Sequence, residues 1–76
     1  MANTALIDIT EDGPDLYVSE AAAILRMAPH TVYRLIDNGE LPAQKYPGAK
    51  GETPIIRIER AELRAFKARH RVSAAT

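Results

Sequence analysis

Residues 16–41, LYVSEAAAILRMAPHTVYRLIDNGEL, carry two short amphipathic repeats with almost nothing between them. In the first, Val18, Ala21, Ala22 and Leu25 fall at i, i+3, i+4 and i+7, which places them on one face of a helix. In the second, Val32, Leu35 and Ile36 repeat the spacing. Pro29 stands where a first turn begins, and there the N–H that proline lacks has no helical partner. Asn38-Gly39 supplies a stop, because glycine accepts the left-handed conformation that closes many helices. The pattern predicts helices over residues 18–26 and 29–38, with Met27 plugging the turn. Either Ser19 caps the first helix, or Tyr17 does, with Glu20 then at the third helical position. Two helices joined by about three residues form a helix-turn-helix unit.

The second helix has two distinct sides. Val32, Leu35 and Ile36 define the buried one. His30, Arg34 and Asp37 point the other way, flanked by Thr31 and Tyr33. Such a face is either a solvated helix surface or one fitted to a DNA groove. Arginine can donate two bonds to guanine, and threonine and tyrosine hydroxyls reach bases or phosphates.

With 76 residues the chain makes one small domain, near the lower limit for a self-sufficient core. Much of its 46% hydrophobic content is alanine, so that core is thin. There are no cysteines, which excludes a disulfide staple and a thiolate metal site. No apolar run approaches transmembrane length, and no signal-peptide pattern opens the chain. A soluble intracellular protein is the expectation.

The net charge is zero, but its distribution is not even. Residues 1–15 hold Asp8, Glu11, Asp12 and Asp15 with no basic residue, a net −4. Residues 16–76 hold all 10 Lys and Arg against six acids, a net +4. An acidic leader is therefore attached to a basic domain, a distribution that hints at nucleic acid as partner.

The leader, residues 1–15, is either flexible and frayed or a short strand within TALIDIT (residues 4–10), followed by the polar turn EDGPD. After Gly39, residues 41–46 read as extended, and Ile55, Ile56, Arg57 and Ile58 as a partner strand. Between them PGAKGETP, with two glycines and two prolines, forms the exposed tip of a hairpin. Lys45, Lys50 and Arg57 stud that hairpin, either as solubilising charges or as contacts to phosphate or the minor groove. A third helix over residues 60–70 turns Leu63 and Phe66 inward. Its Arg60, Arg64, Lys67 and Arg71 lie near one stripe, read as solvated. Residues 71–76 read as a frayed tail.

His30 and His70 are far apart in sequence, with no cysteine and no local carboxylate cluster, so no metal site is expected. No nucleophile elbow, phosphate loop or dinucleotide fingerprint is present. The expectation is no catalytic residue, no enzyme activity, no cofactor and no small-molecule substrate.

The chain resembles the excisionase-type, MerR-like winged helix-turn-helix DNA-binding domains of phages and mobile elements. The residues that carry the resemblance are Leu16-x-Val18-x-Glu20-Ala21-Ala22-x-x-Leu25, Thr31-Val32-Tyr33-Arg34-Leu35-Ile36, Gly39-x-Leu41-Pro42-Ala43 and Arg57-x-x-Arg60-x-x-Leu63-x-x-Phe66. The resemblance implies a mainly α fold with a small β-hairpin wing over residues 16–70. By position it gives Pro29, His30, Thr31, Tyr33 and Arg34 a major-groove role, and Lys45, Lys50 and Arg57 the role of a wing on the minor groove or backbone. In this chain Arg26 stands where many members have the turn glycine, and Ala28 replaces the usual serine cap.

The function so implied is that of a recombination directionality factor, or excisionase. Such a protein binds repeated sites in double-stranded DNA, bends them, and biases an integrase toward excision. The third helix closes the matched pattern, and the expectation is of no long dimerisation helix of the kind MerR-type activators carry. A small phage or plasmid repressor would use the same surface, and an interaction adaptor with a degenerate helix-turn-helix is the reading from a different class. The expectation for assembly is a monomer that lines up cooperatively on DNA. The leader's Asp12 or Asp15 and a neighbour's Arg64 or Lys67 are its candidate complementary charges.

Overall fold

Helix α1 (Val18–Leu25) is the piece against which the rest is built, packing against the second helix, the first strand and the third strand. The computed structural model describes residues 9–72 of the chain. Their order is β1 (Leu16–Tyr17), α1, α2 (Pro29–Asp37), β2 (Gln44–Tyr46), β3 (Ile55–Ile58) and α3 (Arg60–Arg69). The strands form one antiparallel sheet in the order β1-β3-β2. Three helices with a small three-stranded sheet make this a mainly helical winged helix-turn-helix.

Both helices of the unit end the same way. At the end of α1, Arg26 takes the left-handed conformation at φ 57°, with Arg26 N–H donating to Ala23 O (3.2 Å) and Met27 N–H to Ala22 O (3.0 Å). At the end of α2, Gly39 takes it at φ 78°, with Gly39 N–H donating to Ile36 O (3.0 Å) and Glu40 N–H to Leu35 O (2.9 Å). This paired bonding satisfies carbonyls that a helix end leaves without partners. It also shortens α1 by one residue from the expected span, because Arg26 closes the helix instead of extending it. At the other end Tyr17, not Ser19, is the cap residue, and its N–H donates to Glu20 Oε1 at 2.8 Å.

The strand β1 is absent from the sequence reading, which expected a two-stranded hairpin. Leu16 lies opposite Ile58, and Tyr17 lies opposite Arg57. A two-residue strand running straight into a helix offers no alternation to detect. Its role is clear from burial: Leu16 and Ile58 are both fully buried. They meet Val18, Ala21 and Ala22 of α1, Val32 of α2, and Leu63 and Phe66 of α3 in one core, closed by Leu41. On α2 only Val32 is fully buried, while Leu35 and Ile36 are half-buried at the core's margin. No polar or charged residue is buried among the described residues.

Three arginines of helix α3 tie it to earlier segments of the chain. Ile9 is buried in the core, and its carbonyl accepts a hydrogen bond from Arg64 Nη1. Arg60 Nε donates to Pro14 O at 2.8 Å, and Arg69 Nη2 to Glu40 O at 3.1 Å. The stripe read as solvated is therefore used within the chain at Arg60 and Arg64, and residues 9–14 run against α3. The Arg64 guanidinium expected to face a neighbour's Asp12 or Asp15 is already engaged. The strand read over residues 4–10 falls largely outside the described residues, as does most of the tail.

Candidate nucleic-acid interface

Helix α2 begins at Pro29, preceded by Ala28 in an extended conformation with no side-chain capping bond. Val32 anchors it with no exposed surface. One helical turn of 3.6 residues then forces the polar positions outward. Pro29, His30, Tyr33, Arg34 and Asp37 are exposed and Thr31 is half-buried, so the polar residues that the spacing turned away from the core are accessible. Tyr33 keeps 45% of its surface exposed although it adjoins the buried Val32. The side chains of His30, Tyr33 and Arg34 make no hydrogen bond or ion pair with any described residue. Their donors and acceptors are thus available to an external partner.

The hairpin places its three basic residues differently from one another. Lys50 is at the tip, where Glu52 N–H donates to Ala49 O at 2.8 Å and Gly51 has φ 82°. Positive φ at the third position of such a turn is what glycine supplies. Lys45 pairs with Ile56, whereas Arg57 pairs with Gln44 and Tyr17. Successive residues of a strand point to opposite faces, so Lys45 and Arg57 lie on opposite faces of the sheet.

Arg57 has a setting of its own. Its guanidinium carbon is 5.4 Å from the centre of the Tyr17 ring and 5.9 Å from that of Tyr46. Its Nε is buried and has no hydrogen-bond partner among the described residues. Tyr46 Oη donates to Gln44 Oε1 (2.7 Å), and Gln44 Nε2 donates to Glu59 Oε2 (3.2 Å), which fixes the Tyr46 ring. Sequence reasoning missed both tyrosines. The available signal was that Tyr46, Gln44 and Arg57 share a face once the hairpin register is set.

Among the described residues no group of three or more His, Asp or Glu side chains is placed to hold a metal ion, and no helix is long and apolar enough to cross a membrane.

An exposed second helix and a basic hairpin, both hung on a short first helix, define a helix-turn-helix module. The chain belongs to the helix-turn-helix domain family, whose profile matches residues 16–71. It is similar to two Mycobacterium tuberculosis proteins, "Putative DNA-binding protein MT0521" of strain CDC 1551 / Oshkosh and "Putative DNA-binding protein Rv0500A" of strain ATCC 25618 / H37Rv. Each is 61% identical over 28 residues, which is 37% of this chain and 36% of the relative's length. The match thus spans little more than a third of those relatives. No solved structure matches the chain with significance.

Proposed function

We propose that this chain is a sequence-specific DNA-binding and DNA-bending accessory protein of the excisionase type, with a MerR-like wing. It acts on double-stranded DNA in a bacterial cytoplasm and biases an integrase toward excision. The observation that carries the DNA-binding reading is the α2 face, where His30, Tyr33 and Arg34 are exposed and have no partner among the described residues. Family membership and the names of the two relatives support it. The basic balance of residues 16–76 supports attraction to phosphate.

The excisionase role rests on the Thr31-Val32-Tyr33-Arg34-Leu35-Ile36 and Gly39-x-Leu41-Pro42-Ala43 segments. One module reads too few base pairs for genomic specificity, so repeated sites filled by neighbouring copies complete the reading. Selection from a random duplex pool tests it, followed by a circular-permutation gel on the selected site. The expected outcome is enrichment of a short site, strong binding only to direct repeats, and a bend. Failure to enrich any sequence would overturn DNA recognition. A single operator that is bound without bending would overturn the excisionase role.

A further inference from the structure

The sheet has an outer face that neither the recognition helix nor the hairpin tip accounts for. Register and alternation put Tyr17 of β1, Arg57 and Ile55 of β3, and Gln44 and Tyr46 of β2 on it. Tyr17 keeps 53% of its surface exposed and Tyr46 keeps 42%. Between their rings lies the Arg57 guanidinium, at the distances of a cation–π contact on each.

Other arginines of the fold are used differently. Arg60, Arg64 and Arg69 each donate to a backbone carbonyl and serve as ties. The Arg57 side chain donates to nothing and meets no carboxylate among the described residues, and its Nε is shut away from solvent. Two rings hold such a group in one plane without neutralising it. A planar, charged, preorganised fork whose terminal Nη donors are unused suits an oxyanion, which accepts from them while the rings cover the faces.

We infer that Tyr17, Arg57 and Tyr46 form an oxyanion clamp, and that its ligand is a backbone phosphodiester of the bound duplex. This rests on the DNA-binding reading above and extends it from Arg57 of the hairpin to the two tyrosines that hold its side chain. Arg57 touches the phosphate, and Tyr17 and Tyr46 are positioning residues that act through it. The +4 balance of residues 16–76 favours phosphate over a protein carboxylate as the anion that reaches this face.

Fluorescence anisotropy with a random-sequence duplex, repeated over a range of salt, tests the clamp. Arg57→Gln should weaken binding about tenfold and lower the salt slope by about one unit. Tyr17→Leu should weaken it roughly two- to fivefold in the wild-type background. It should have no further effect when Arg57 is already Gln, because a positioning residue has nothing left to position. Arg57→Lys keeps the charge and a soluble strand, yet it should lose several-fold affinity because ammonium lacks the planar fork. Full affinity in Arg57→Lys, or an equal loss from Tyr17→Leu in both backgrounds, would overturn the clamp. Unchanged duplex binding by Arg57→Gln would also overturn it and leave a partner's carboxylate as the ligand. If the wild-type chain bound no duplex at all, the DNA-binding reading itself would fall.

Discussion

Arg26 and Gly39 occupy the same place in the same closing motif, one at the end of each helix of the helix-turn-helix unit. Both have positive φ, 57° and 78°, and both are followed by a residue that donates back across the last turn. Glycine accepts that conformation freely, whereas an L side chain pays about 1–2 kcal/mol for it. The unit therefore carries strain at the turn between its helices. Arg26→Gly should relieve it, less the entropy glycine adds to the unfolded chain, for a net gain of about 0.5–1 kcal/mol. Thermal or urea unfolding checks this, and a loss of stability would show that the Arg26 side chain contributes something the backbone does not reveal.

The same helix pair lacks a cap. Ala28 precedes α2 with an extended backbone and no side-chain bond to the first turn. Ala28→Ser should supply an acceptor for a first-turn N–H and stabilise the fold by about 1 kcal/mol. Denaturant midpoints with an unchanged m-value would report it.

Ile9 tests whether the leader belongs to the domain. It is buried with only 7% of its surface exposed, and its carbonyl is bonded by Arg64. Ile9→Ala should cost about 2 kcal/mol or more, a large share of the stability of so small a domain. A neutral result in equilibrium unfolding would mean that the segment does not pack in solution.

The helices were legible because their signals are local. Pro29, Gly39 and the Val32-Leu35-Ile36 spacing lie within the elements they define, and the bounds of α2 and β3 follow within a residue. What the sequence concealed depends on distant partners. Strand β1 exists only because Leu16 and Tyr17 find Ile58 and Arg57 some forty residues on. Arg60 and Arg64 looked like a solvated stripe because their acceptors are the carbonyls of Pro14 and Ile9, and a carbonyl has no residue-type signature. The exposed face of α2 was readable from periodicity. The Tyr17–Arg57–Tyr46 cluster was not, since it requires the register of three strands.

Lys45 and Lys50 are exposed on the hairpin, Lys45 on the opposite face from Arg57 and Lys50 at the tip. If both approach phosphate, replacing either with Ala should weaken binding to every sequence alike and lower the salt slope by about one unit. Lost discrimination between sites at an unchanged slope would instead mean that the hairpin reads bases.

Arg34 tests most directly whether the exposed face of α2 reads DNA. Affinity of the wild-type chain and of Arg34→Ala should be measured at one fixed salt on the selected site and on a random duplex. The substitution removes no side-chain hydrogen bond, ion pair or ring contact among the described residues, so circular dichroism should be unchanged. The expected result is a loss of about 1–3 kcal/mol on the selected site, with much less on random sequence. Equal affinity of the two proteins for the selected site, or an equal loss on both duplexes, would contradict base reading by this helix.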